Sequence, residues 1–167
     1  MSTSARERYI IGVDLGGTNI VAGAMSEDGT RSFAVKSIPT NSSVGDEGVA
    51  ERIVGLVKSV QLDTITETGA SRDDFIGVGV GAPGPLDRDK GVVLVAPNLG
   101  WTNFPLRQRI HDRVGLPTTL DNDANCATFG EWWQGAARGC RNVIGLTIGT
   151  GIGGGIILNG ALYHGAS

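Results

Sequence analysis

The sequence predicts an α/β fold, and three observations predict it. Short apolar runs over residues 8–14, 19–26 and 31–38 are divided by glycine-containing turns, the pattern of paired strands. Residues 46 to 67 carry Val49, Ile53, Leu56, Val57 and Val60 at helical spacing. From residue 75 onward, strand-like and helix-like stretches alternate. A chain of 167 residues is long enough for one core, or for one and a fraction.

The first three runs form an antiparallel meander, with Asp28-Gly29 as the hairpin signal between the second and third. The helix that follows has Asp46 near its start, where a carboxylate suits the helix dipole, and its apolar stripe packs on one sheet face. Phe75 to Gly81 reads as a central strand. It ends in Ala82-Pro-Gly-Pro85, where two prolines forbid regular pairing and fix the loop. Residues 91–96 give another short strand, and 96–101 (Ala-Pro-Asn-Leu-Gly-Trp) a rigid polar-aromatic loop. Residues 106–114 are predicted helical, stopped by Gly115 and Pro117; 118–120 form a strand, and 124–137 a helix closed by Gly139. Residues 142–148 and 154–158 are then strands, with Asn159-Gly160 turning the chain back once more.

Composition excludes several classes. Fourteen Lys and Arg stand against 17 Asp and Glu with no basic run, so no nucleic-acid or anionic-lipid surface is expected. The start of the chain is polar without an apolar signal core, and no stretch of about 18 apolar residues occurs, so no membrane association and a cytoplasmic location are expected. Cys126 and Cys140 have no CxxC or His partner at metal spacing and read as free thiols. Glycine is the outlier: 27 residues, about 16% where roughly 7% is usual, mark backbone that must turn sharply or approach something closely.

Two glycine loops join strands. In Asp14-Leu-Gly-Gly-Thr-Asn19, the N–H groups of Gly16 and Gly17 can converge on an anion, Thr18 adds a hydroxyl, and Asp14 can hold hydrated Mg²⁺. The same residues also suit an ordinary tight turn. Ile148-Gly-Thr-Gly-Ile-Gly-Gly-Gly155 contains a GxGxxG match at Gly149, Gly151 and Gly154. A dinucleotide fingerprint needs a helix next, whereas residues 155–160 read as strand and turn, and neither loop has the Gly-Lys-[Ser/Thr] of a P-loop. Two such loops together suggest phosphate gripped from two sides. Leu120-Asp-Asn-Asp-Ala-Asn125 closes a strand and opens a helix, where a carboxylate can take a proton from a substrate hydroxyl and amides can bind other hydroxyls. Asp and Asn are equally the preferred helix caps. Trp101 reads as a packing residue, Trp132 and Trp133 as core or interface, and His111 as exposed on a helix.

In order along the chain, VDLGGTN, GAPGP, PNLGW, DNDAN and IGTGIGGGI resemble the motifs of the ROK family of sugar kinases, bacterial ATP-dependent glucokinases above all. The likeness runs from Tyr9 to Ser167. It implies an actin-like, ribonuclease-H-like ATPase fold, with a polar tail (1–8), an N-terminal lobe (9–123), and a connecting helix with the first hairpin of a second lobe (124–167). It further implies that Asp14, Gly16, Gly17, Thr18 and Asn19 form one phosphate loop, with Mg²⁺ held by Asp14 through water. Thr147, Gly149, Thr150 and Gly151 form the other. Asp123 matches the general base for the 6-hydroxyl of a hexose; Asn122 and Asn98 match sugar ligands, with Gly81, Ala82, Pro83 and Gly84 lining the same pocket.

The family pattern continues with a Glu-x-x-His pair, a zinc motif and an adenosine-binding segment, none of which is in these 167 residues. A structural zinc and a homodimer are therefore expected only of a longer chain, and this one is expected to phosphorylate glucose weakly or not at all. Glucose is favoured over N-acetylmannosamine, N-acetylglucosamine or fructose by overall likeness, and ATP over polyphosphate by Gly153-Gly-Gly155. Two further readings compete: a sugar-responsive regulator, disfavoured because about eight polar residues leave no room for a helix-turn-helix, and a non-catalytic sugar-binding module.

Overall fold

Along the first strand, β1 (Tyr9–Leu15), Tyr9, Ile11, Val13 and Leu15 are buried while the residues between them are not, the period-two signature of a sheet with one covered face. A computed structural model describes residues 6–149 and 151–165. The elements after β1 are β2 (Asn19–Ser26), β3 (Ser32–Pro39), α1 (Gly45–Thr68), β4 (Phe75–Ala82), β5 (Leu86–Asp87), β6 (Val92–Ala96), β7 (Trp101–Phe104) and α2 (Leu106–Val114). There follow β8 (Thr118–Asn122), α3 (Asp123–Trp133), β9 (Val143–Ile148), β10 (Ile152–Leu158) and β11 (Ala161–Tyr163).

The main sheet has the order β3-β2-β1-β4-β8. The first three strands are the expected antiparallel meander, and β4 and β8 join parallel to β1. Parallel pairing brings the carboxyl ends of three strands together: Asp14 pairs with Gly81, and Gly81 with Asp121. In open α/β sheets that end is where ligands bind.

Helix α1 presents Val49, Ile53, Val57 and Val60 to the sheet, all fully buried. Burying such a side chain contributes about 1.5–3 kcal/mol. Leu106 and Ile110 of α2 extend the same core. The small antiparallel sheet β5-β6-β7 adds Val93, Ala96, Trp101 and Phe104. Trp101 is 2% exposed with its ring 4.8 Å from that of Phe104, so it is a packing residue. Its Nε1 is buried without a partner among the described residues.

Strands β9, β10 and β11 form a separate antiparallel sheet, closed by the two-residue turn Asn159-Gly160 in which both residues have positive φ. Helix α3 lies on one face of this sheet and also touches β4 and β8, so it bridges the two sheets. The opposite face carries Ile144, Leu146, Ile148 and Ile152 in solvent, between 67% and 82% exposed.

The structure departs from expectation in a few places. Trp101, expected to close the 96–101 loop, instead opens a strand over residues 101–104 that pairs with β6, and Trp101 and Phe104 both turn into the core. Helix α3 stops at Trp133, not at 137. The Glu131 carboxylate accepts the Ala136 N–H (2.8 Å) and the Cys140 carbonyl accepts Trp132 Nε1–H (2.7 Å), pulling the chain into a turn. Strand β10 begins at Ile152 rather than Gly154. Both cysteines are free, and among the described residues no helix is long and apolar enough to cross a membrane.

Candidate active site

The loop between β1 and β2 is tied in three places. Gly16 N–H donates to the Asn19 carbonyl (3.0 Å), the Thr40 N–H to the Thr18 carbonyl (2.8 Å), and the Thr40 hydroxyl to the Gly16 carbonyl (2.7 Å). Thr40 is fully buried. The expected convergence of Gly16 and Gly17 is therefore only half met: Gly16 N–H closes the turn, while those of Gly17 and Thr18 have no partner among the described residues. The tight turn is present, and it is what leaves those two donors spare. Nothing in the sequence marks Thr40, a lone threonine after a strand. Asp14, Thr18 and Asn19 are exposed.

Asn98, from the loop between β6 and β7, stands against this turn: a Cβ on Gly17 would lie 2.8 Å from its Nδ2. On the other side, β4 runs out through Gly81 and Ala82 to Pro83 and Gly84. Ala82 is fully buried and paired with Asn122, so it serves as core beneath the site, and Pro83 is half-buried. Gly84 has φ +84°, and a Cβ there would fall 2.1 Å from the Val95 carbonyl oxygen. No other residue fits that position without moving the backbone.

Between them, β8 passes directly into α3. Asn122 is the cap: its Oδ1 accepts the N–H groups of Ala124 (3.0 Å) and Asn125 (3.3 Å). With the cap supplied by Asn122, Asp123 is the first helical residue, half-buried, with Oδ1 accepting Ala124 N–H at 2.8 Å.

Asp123 faces two adjoining clefts. One, of about 390 Å³, is lined by Asp14, Gly81, Asp123, Cys126 and Thr147. The other, of about 430 Å³, is lined by Gly84, Asn122, Asp123, Thr147, Gly149 and Gly151. Thr147 is common to both. Desolvation, and then the nearby Asp123 carboxylate, raises the pKa of Asp14. Cys126 is exposed overall, but its sulfur lies against the Gly81 position; desolvation there, with the carboxylates of Asp121, Asp123 and Asp14, pushes the thiol up to about 11. Negative charge is thus concentrated where the loops meet. Among the described residues no three His, Cys, Asp or Glu side chains converge as a closed metal cage. Two carboxylates on one open cleft suit a hydrated divalent cation shared with phosphate.

The second glycine loop divides by role. A Cβ on Gly149 or Gly151 would meet nothing within 4 Å, and Gly149 N–H donates to the Gly151 carbonyl (2.9 Å). A Cβ on Gly153 would fall 2.6 Å from Thr147 Oγ1, and on Gly155 2.6 Å from Thr128 Oγ1. Gly153 and Gly155 therefore let α3 lie close on the hairpin, and Gly149 and Gly151 front the cleft, which Gly153 also borders. Thr150 lies outside the described residues.

Residues 10–167 match the model of the ROK family. The chain belongs to the ROK family. This ROK chain is 37% identical to a glucokinase of Halalkalibacterium halodurans over 96% of its own length and 47% of the relative's. It superposes on a ROK family glucokinase from Streptomyces griseus, solved with glucose and AMPPNP, at a TM-score of 0.82 and 39% identity, covering 95% of this chain and 47% of that one. A xylose repressor of Caldicellulosiruptor bescii is 33% identical over 76% of this chain and 31% of its own. The ROK chain spans about half the length of the curated relatives it matches. Its fold is accordingly the actin-like ATPase fold.

Proposed function

We propose that the protein transfers phosphate from ATP to a hexose, glucose foremost, through the site centred on Asp123. One observation carries the reading: a single half-buried carboxylate borders both the cleft that leads to the first glycine loop through Asp14 and the cleft that leads to the second through Gly149 and Gly151. A phosphoryl transferase needs that arrangement, with the group that takes a hydroxyl proton placed where donor and acceptor meet. The glucokinase relatives agree with it.

In this reading the sugar sits by Asn98, Asn122 and the Gly81–Gly84 turn, where the two amides bind hydroxyls. Asp123 accepts the proton of the attacking hydroxyl. The spare N–H groups of Gly17 and Thr18, with Thr18 and Thr147 hydroxyls, hold phosphate oxygens, and Asn19 fixes the turn through its carbonyl. Asp14 would hold Mg²⁺ through water, and the ion would supply charge neutralisation at the phosphates. Most of the catalysis then comes from positioning and neutralising charge rather than from covalent chemistry. Helix α3 is read as the link between a first lobe, residues 9–123, and the beginning of a second, 124–167.

The test is titration of the chain with glucose and with Mg²⁺–ATP, together with a coupled assay for glucose 6-phosphate. Glucose binding that weakens in Asn98→Ala, and a weak turnover that disappears in Asp123→Asn, are expected. Turnover that survives Asp123→Asn would remove the carboxylate from its role.

A further inference from the structure

The proposed reaction leaves one carboxylate at the site unused. Asp121 pairs with Gly81 near the end of β8, one residue before Asn122, and accepts three hydrogen bonds: from the Asn122 N–H (2.7 Å), from Asn125 Nδ2 (3.0 Å), and from His164 Nε2 (2.7 Å). The first two fasten Asp121 to the segment that aims Asn122 and Asp123. The third arrives from beyond β11, at the far end of the other sheet. Both partners of that contact are largely buried, each side chain 24% exposed.

Electrostatics favour the arrangement. Burial by itself would raise the Asp121 pKa, but the Asn125 amide, His164 and the Asn122 N–H outweigh it and hold the carboxyl below its ordinary value. Asp121, Asp123 and Asp14 all act on the Cys126 thiol, so three carboxylates crowd this end of the sheet. Among the described residues His164 is the one basic side chain bonded to any of the three.

We propose that Asp121 is a positioning residue for the Asn122–Asp123 pair and that His164 is its clamp, so that the sheet β9–β11 holds the first turn of α3 in place. The proposal rests on Asp123 being the base, since positioning has meaning only for a working group. Asp121 bonds the backbone of Asn122 on one side and the side chain of Asn125 on the other, and Asn122 in turn caps the helix that Asp123 begins. A shift of His164 therefore reaches Asp123 through two hydrogen bonds and one short segment of chain.

NMR of the isotope-labelled 167-residue chain tests this, with His111→Gln used to assign the two imidazoles. Asp121→Ala is expected to move the imidazole ring signals of His164, because the ring loses the carboxylate oxygen that stands 2.7 Å from its Nε2. His164→Ala is expected to move the side-chain amide signals of Asn122 and Asn125 and the carboxyl carbon of Asp123, and His164→Gln, which can still donate, to restore them. Should His164→Ala fail to fold, His164→Asn, too short to reach, serves in its place. His164 ring signals indifferent to Asp121→Ala, or Asn125 and Asp123 signals indifferent to loss of His164, overturn the proposal. Neither readout uses turnover, so a failure of Asp123 as base, seen in the coupled assay, is distinguishable from a failure of the clamp.

Discussion

The amide of Asn98 rests against Gly17, close enough that a Cβ on the glycine would lie 2.8 Å from Nδ2 and 3.5 Å from Cβ and Cγ. The loop proposed for phosphate and the loop proposed for sugar are therefore in direct contact, and glycine is the residue that lets them meet. Gly17→Ala must displace the Asn98 side chain. Loss of one hydroxyl contact, worth roughly 1 kcal/mol, is expected to weaken glucose binding about five- to tenfold. Calorimetric titration measures it, and urea unfolding is expected to change little because the loop is near the surface. Unaltered glucose affinity would show that Asn98 holds no sugar hydroxyl.

Thr40 makes a different prediction. Its buried hydroxyl satisfies the Gly16 carbonyl, while its own N–H holds that of Thr18. Thr40→Val keeps the shape and the N–H bond but strands the Gly16 carbonyl. A cost of about 1–3 kcal/mol in urea unfolding is expected, with faster amide exchange at Gly16 and Asn19. A neutral result would mean that water reaches Gly16.

The glycines of the second loop separate by the same kind of test. At Gly155 an added methyl would meet Thr128 Oγ1 at 2.6 Å and Thr128 Cβ at 2.7 Å, so Gly155→Ala is expected to destabilise by about 1–3 kcal/mol as α3 is forced off the hairpin. At Gly151 nothing stands within 4 Å, and Gly151→Ala should stay within about 0.5 kcal/mol of the parent. Nucleotide affinity is expected to reverse the order, falling more in Gly151→Ala. Equal effects on stability would contradict the division of roles.

What was legible in the sequence follows from range. The meander, α1, α2 and the passage from β8 into α3 depend on local patterns, and each appeared where periodicity and turn chemistry put it. Strand β7 did not, because its two buried residues, Trp101 and Phe104, stand three apart, a spacing that shows no strand alternation. Helix α3 ends early through the Glu131 side chain and the Trp132 indole, contacts that propensity does not encode. At the site, Asn122 and Asp123 stood out by residue type, yet only the fold makes Asn122 the helix cap and sets Asp123 on the border of both clefts. Thr40 and the Asp121–His164 contact carry no sequence signal at all, since each is a single polar residue whose partner is supplied by topology. The glycine loop motif placed Gly155 with the ligand-facing glycines, whereas close packing on Thr128 of α3 accounts for it; Gly153 both borders the cleft and meets α3.

The outer face of the second sheet supports a prediction independent of catalysis. Ile148 and Ile152 pair across β9 and β10 and are 82% and 80% exposed, with Leu146 and Ile144 beside them on the same face. Contiguous apolar surface of this kind is unusual on a soluble monomer and is available to apolar probes. The native chain is expected to bind 8-anilinonaphthalene-1-sulfonate at neutral pH, where a fully covered fold would not. Replacing Ile148 and Ile152 together by serine should reduce the bound fluorescence by roughly half or more. Because neither side chain is buried, the double variant should unfold in urea within about 0.5 kcal/mol of the parent. Fluorescence that persists unchanged would place the dye elsewhere, and a large loss of stability would mean that these isoleucines are covered in solution.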